Sequence, residues 1–203
     1  LSTACGFAAA LALLILSTLR SGNRSPGGVD NAGSVAIVLE LARHLPSILR
    51  DDVDLIFLSP GAEEDHMVGV MRWLDEHSGD LGRRPVYALN FDGAGIPGRI
   101  ALLERFGFGR RFSARLSQVA RTAAKRLGIP VRGVFLPPAM GVDAIPFAHR
   151  GIDCLTIASG SLGRATFAVH SAGDVADNLD GRALDEAARL GLEMAKILSS
   201  ADL

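Results

Sequence analysis

Strand-length apolar runs alternate with segments of helical period along most of this chain, and that alternation restricts it to a small set of layered folds. Residues 54–59 (DLIFLS), 86–91 (VYALNF), 131–136 and 154–158 have strand length, and 99–103 reads as a weaker strand. A first helix begins after Asp30, with Ala32, Val35, Leu39 and Ala42 on one face, and ends near His44-Leu45-Pro46. Residues 64–76 read as a second helix, with Met67, Val70, Met71 and Leu74 at inner-face spacing. Phe112, Leu116, Val119, Ala123 and Leu127 recur at helical spacing up to Gly128, with Pro130 just beyond, the usual stop signals of a helix. Residues 182–198 form a closing amphipathic helix. This order predicts an α/β fold: a three-layer sandwich with a central, mostly parallel sheet, plus an N-terminal apolar helix.

That N-terminal stretch stands apart. Residues 1–19 contain no charged side chain, and Arg20 and Arg24 follow. About 20 apolar residues cross a bilayer core, so the stretch is just long enough. A signal peptide would open with Met and a basic segment, and neither is present. A helix apolar on all sides in a soluble domain would have to be fully enclosed. The expectation is therefore a membrane helix over residues 1–20, an α/β domain over 21–203, and a membrane-associated protein. Arg20 and Arg24 hint at a cytoplasmic domain but leave the side of the membrane open.

Composition removes other classes. The formal net charge of −1 gives no general attraction to nucleic acid, and one Tyr and one Trp leave little for base stacking. Cys5 and Cys154 lie far apart and form no CxxC; both are expected to be small buried hydrophobes. A run of basic residues, Arg105, Arg110, Arg111, Arg115, Arg121, Lys125, Arg126 and Arg132, is expected to be a solvated face balanced by acids elsewhere.

The chemistry lies in carboxylates at element ends. Asp30 precedes the first soluble helix, Glu63 and Glu64 follow the DLIFLS run across Pro60-Gly61, and Asp92 ends the VYALNF run. In open α/β sheets the ligand crevice lies outside the carboxyl ends of the strands, so these acids can converge there. Singly, an Asp before a helix is usually a cap, paired Glu at a helix start usually complement the dipole, and a loop His is usually solvated. Together they would repel one another unless a divalent cation sat among them, and a His ligand makes zinc a better match than magnesium. His170, in the polar loop VHSAGDVADN, is the candidate. Because Glu63 and Glu64 are neighbours, aiming both at one site needs a sharp turn after Pro60-Gly61.

Five segments carry a resemblance. SPGGVDNAGSVAIVLELAR (25–43), FLSPGAEEDHMVG (57–69), LNFDGAG (89–95), GVDAIPFAHRGID (141–153) and HSAGDVADNLD (170–180) resemble, in order, the motif segments of the M28 family of zinc aminopeptidases and carboxypeptidases. The resemblance implies a zinc exopeptidase acting on peptides. In it Asp30 would bridge two zinc ions, Glu64 and His170 would complete the first, and Asp92 would serve the second. Glu63 would be the general base that takes a proton from the attacking water. Asp174 is a candidate to orient His170, or a helix cap. The family's second zinc also takes a His from a His-x-Asp segment about a dozen residues ahead of the bridging Asp; here those places hold Thr18 and Arg20, and no His precedes His44. Either the site has lost a metal, or that segment lies upstream of Leu1, separated by membrane helices as in some family members. The second is the expectation. Ala144 stands where the family often has His. Two further readings share the residues: an inactive domain of the same fold used for binding, and a magnesium-dependent phosphoesterase. The latter lacks a phosphate-cradling Gly-rich loop.

Overall fold

The computed structural model describes residues 2–17, 24–138, 140–160 and 168–200. Its helices are α1 (Ser2–Ser17), α2 (Gly33–His44), α3 (Val68–Glu76), α4 (Ser78–Leu81), α5 (Ala114–Leu127), α6 (Ala144–His149) and α7 (Gly181–Ser200). Its strands are β1 (Tyr87–Phe91), β2 (Ile100–Phe106), β3 (Arg110–Arg111), β4 (Val131–Leu136) and β5 (Asp153–Ser159). β1 runs parallel to β5, from Tyr87 opposite Asp153 to Phe91 opposite Ile157. β5 meets β2 antiparallel, and β2 runs parallel to β4. The short β3 folds back on the last two residues of β2, with Arg105 opposite Arg111.

Alternation along the strands explains the layers. Ile100 and Leu102 on β2, and Leu155 and Ile157 on β5, join a core with Ile37, Leu41, Leu116, Ala120, Leu190 and Met194, which packs α2, α5 and α7 onto one face. Leu103 and Cys154 point the other way, into a second core with Phe106, Phe112, Leu136 and Ala144, under α6. Both faces of β5 are covered, which is why CLTIA is apolar except for the buried Thr156.

Several expectations need correction. Residues 54–59 form no ladder with any described strand, and Ile56 and Phe57 are exposed. A strand needs a neighbour for its N–H and C=O groups, and the sequence displays the propensity without naming the neighbour. The buried face of α2 is Gly33, Ser34, Ile37 and Leu41, whereas Val35 and Leu39 face solvent. That helix is apolar almost all round, so periodicity alone could not set its phase. The second helix begins at Val68 rather than at residue 64, because residues 62–67 form a turn instead.

Residues 5–14 of α1 are exposed, so this helix is not part of the core and Cys5 is not buried as expected. At 1.5 Å per residue the 16 described residues of α1 reach about 24 Å, against a bilayer core of about 30 Å. Among the described residues no helix is long and apolar enough to cross a membrane. Thr18, Arg20 and the expected domain boundary at 20/21 lie outside the described residues.

Candidate metal centre

Three loops bring the site together. The first is the turn that leads into α2. There Gly28 N–H donates to the Asp174 carbonyl (2.9 Å), and the buried Asp174 carboxylate accepts Val29 N–H (2.6 Å), Asp30 N–H (3.3 Å) and the Ser25 hydroxyl (3.4 Å). Gly28 is required for this approach: a Cβ there would stand 2.4 Å from the Val175 carbonyl carbon. Asn31 ties the same turn to the end of β1. Its amide nitrogen donates to the Phe91 carbonyl (3.2 Å) and its oxygen accepts Gly93 N–H (3.3 Å). The Asp30-Asn31 peptide is cis. Asp174 is a candidate either to orient His170 or to cap a helix; its carboxylate accepts backbone N–H groups of the turn that leads into α2, which is the capping kind of role, and it grips the backbone around Asp30.

The second loop is the turn expected after Pro60-Gly61. Ala62, His66 and Met67 all have positive φ, which non-glycine residues seldom adopt outside functional turns. Met67 N–H donates to the Glu63 carbonyl (2.8 Å) and Val68 N–H to that of Ala62 (3.2 Å), closing the turn. Gly69 permits it, since a Cβ there would stand 2.0 Å from the Gly61 oxygen. The third loop carries His170, itself at φ 62°.

His170 Nε2 lies 2.9 Å from Asp30 Oδ2 and 2.6 Å from Glu64 Oε1. The ligand atoms of Asp30, Glu64 and His170 all lie within 4.8 Å of one another. Asp92, at the end of β1, is not part of that group. His170 and Glu64 are largely open to solvent while Asp30 is mostly enclosed, so the cluster opens outward from a fixed base.

The electrostatics are those of crowded acids. Burial, then Glu64, pushes Asp30 above the ordinary carboxylate range, and His170 pulls against that. Burial, then Asp143, Glu64 and Asp30, pushes Glu63 up to about 7. Burial, then Asp30 and Glu63, pushes Asp92 up to about 8. Partial burial works against the charged form of His170, but Glu64 and Asp30 outweigh it and raise its pKa. One imidazole and two carboxylates are donors that zinc accepts, and a cation there would relieve the repulsion, so the residues present fit the metal.

Sequence reading missed Asp143. It precedes α6, is pushed up to about 6 by burial, and its Oδ1 is buried with no hydrogen-bond partner. Its charge bears on Glu63 and Asp92 alike. The available signal was an Asp just ahead of the apolar AIPF run, inside the motif segment at 141–153. His66, outside the expected ligand set, is exposed beside Asp65.

The chain is 30% identical over 129 residues to aminopeptidase YwaD of Bacillus subtilis (strain 168), covering 64% of this chain and 28% of that protein. Its fold matches the aminopeptidase from Aneurinibacillus sp. strain AM-1 with a TM-score of 0.72 and 24% identity, over 88% of this chain and 41% of that one. It matches BSAP, a zinc aminopeptidase from Bacillus subtilis, with a TM-score of 0.72 and 22% identity, over 88% and 44%. The chain thus spans less than half the length of these relatives. Residues 12–195, most of the sequence, match the model of peptidase family M28, and the chain belongs to that family.

Proposed function

We propose that this domain carries out metal-dependent hydrolysis of peptide bonds at chain ends. Asp30, Glu64 and His170 would hold zinc, and Asp92 would serve a second ion. The observation that carries the reading is the convergence of Asp30, Glu64 and His170 from three separate loops to within 4.8 Å. When bound, zinc supplies Lewis acidity toward a peptide carbonyl and acidifies water.

Glu63 is the general base. It sits on the same strained turn as Glu64, and a carboxyl pushed up to about 7 can take a proton and return it near neutral pH. Asp143, Glu64 and Asp30 act on it through charge, favouring its protonated form after transfer. Asp174 holds the backbone from which Asp30 projects. The names of the relatives, aminopeptidases and a zinc aminopeptidase, agree with this chemistry.

The test is a paired substitution, read by zinc content and by hydrolysis of simple amino-acid amides. Glu63→Ala should keep its zinc and lose at least about 10²-fold in kcat, the low end for base catalysis. Glu64→Ala should lose zinc as well as rate. If Glu63→Ala lost zinc while Glu64→Ala kept zinc and rate, the two roles would be exchanged. If zinc-loaded protein hydrolysed nothing, and neither substitution altered metal content, a non-catalytic binding domain would replace the peptidase reading.

A further inference from the structure

The hairpin made by β2 and β3 is firmly anchored at its base and bare at its tip. Phe106 and Phe112 are buried in the second core with ring centroids 4.5 Å apart. Gly107 N–H donates to the Leu136 carbonyl (3.0 Å) and Phe112 N–H to that of Glu104 (3.1 Å). Between these anchors the chain reverses through Gly107 and Gly109, both at positive φ, and Phe108 between them is 100% exposed. A phenyl ring held fully in water gives up burial that most aromatic side chains obtain.

Charge surrounds this ring. Arg105 and Arg111 are direct cross-strand partners, an arrangement in which like charges destabilise a hairpin. Arg110 lies with its guanidinium 5.9 Å from the Phe106 ring centroid, and the Arg105 guanidinium donates to the Gly109 carbonyl (3.2 Å). Among the described residues no acid forms an ion pair with Arg105, Arg110 or Arg111. The balancing expected for the basic run occurs further along instead, where Arg121 meets Glu104 and Arg126 meets Glu193. This turn therefore concentrates positive charge, beside an exposed ring, that no acid among the described residues pairs.

We infer that the β2–β3 hairpin is a docking element for an anionic lipid surface. Phe108 enters the headgroup layer, and Arg105, Arg110 and Arg111 bind lipid phosphates. A lone aromatic on a protruding turn suits a fluid surface that closes around it, whereas a protein partner would need a broader apolar patch, and here the ring is flanked by charge. A nucleic acid would need a longer basic track than three arginines on a chain of net charge −1. The exposed apolar residues of α1, Phe7, Leu11 and Leu13, are a second element that lipid would accept. β2 runs antiparallel to β5, so the hairpin lies beyond the amino ends of β1 and β5. Asp92 and the metal-ligand candidates cluster at the opposite, carboxyl end of β1. Docking by the hairpin therefore leaves that cluster facing water.

The experiment is co-sedimentation of the full chain with phosphatidylcholine vesicles, with and without phosphatidylglycerol, at low and raised salt. The readout is the ratio of anionic to neutral partitioning, which removes any charge-independent contribution from α1. The wild-type ratio should be large at low salt and fall as salt is raised. Replacing Arg105, Arg110 and Arg111 together by Gln should lower it by on the order of 100-fold, and Phe108→Ala should lower anionic binding by roughly tenfold. Because all four side chains are exposed, the variants should fold and melt like the wild type. Phe108→Trp should show blue-shifted emission, relative to the native background of Trp73, only with the anionic vesicles. A ratio unchanged by the arginine substitutions, an indole signal from the Phe108→Trp variant that is blind to lipid, or arginine-dependent binding to a DNA duplex without binding to vesicles would each overturn the inference.

Discussion

Replacing Asp174 by Ala should destabilise the domain and loosen the metal centre together. The carboxylate is fully buried and accepts two backbone N–H groups, from Val29 at 2.6 Å and Asp30 at 3.3 Å, besides the Ser25 hydroxyl at 3.4 Å. Removing it leaves a buried donor at Val29 and a partly buried one at Asp30 without partners, and an orphaned buried donor costs about 1–3 kcal/mol. The Val29 bond is short and counts fully, while the Asp30 bond is long and counts less, so a loss of about 3–4 kcal/mol is expected. Removing a negative charge near Asp30 works in the opposite sense, but it cannot restore an acceptor to either N–H. Asp174→Asn keeps one acceptor oxygen and turns an NH₂ toward the other donor, so about half the loss is expected. Domains of this size hold roughly 5–15 kcal/mol, so both variants should still fold. Urea unfolding measures the stability, and zinc titration should show weaker binding in the same order, because the backbone carrying Asp30 is no longer held. If Asp174→Ala unfolded within about 1 kcal/mol of wild type and bound zinc unchanged, the account of this buried carboxylate would be wrong.

Gly69→Ala forces a methyl against the Gly61 oxygen, where its Cβ would stand 2.0 Å away, and should cost about 1–3 kcal/mol in urea unfolding while displacing the Glu63-Glu64 turn and depressing hydrolysis. Metal-free protein should lose stability between about pH 5 and 8. Glu63, Asp92 and Asp143 are raised to about 7, 8 and 6, so the native state holds protons that the unfolded chain has released, and the stabilisation present at low pH disappears as pH rises through those values. A melting temperature flat over that range without metal would contradict this. Burial pushes Cys154 up to about 12 from 9.0, so it stays a neutral thiol in mildly alkaline buffer; iodoacetamide should label the exposed Cys5 in the native chain and both cysteines in denaturant, as counted by mass.

What the sequence made legible follows from period and chemistry. β4 coincides with the run at 131–136, and α5 ends at Gly128 in the left-handed conformation its position required. The strand at 99–103, read as weak, pairs with β3, β4 and β5, and its Ile100, Leu102 and Leu103 serve both cores. The phase of α2 was hidden by its nearly uniform apolar circumference, and α6 was too short to show a period. Asp30, Glu64 and His170 could be named because their residue types stand out at element ends. Their support could not be seen. Nothing local in the sequence shows that Asp174 reaches across 145 positions to Val29, or that Ala62, His66 and Met67 turn with positive φ.

One loop does two jobs on the same partner. His170 meets the side chain of Asp30, and four residues later Asp174 holds its backbone. The ligand candidate and its scaffold therefore share one loop, and a shift of residues 170–174 perturbs both the imidazole contact and the hold on the Asp30 amide. This arrangement preserves the relation between two donors more closely than either anchor could alone. Glu64 reaches the same loop through its side chain, 2.6 Å from His170 Nε2, and its backbone belongs to another turn. Its turn is fixed instead by the packing of Gly69 on Gly61, and its side chain is largely exposed. Of the donors, Glu64 is thus the one free to adjust when a cation or a substrate arrives. Glu63, the candidate base, shares that closed turn, so the Glu64 side chain can adjust without displacing the Glu63 backbone, while Asp30 and His170 keep their common anchor in the 170–174 loop.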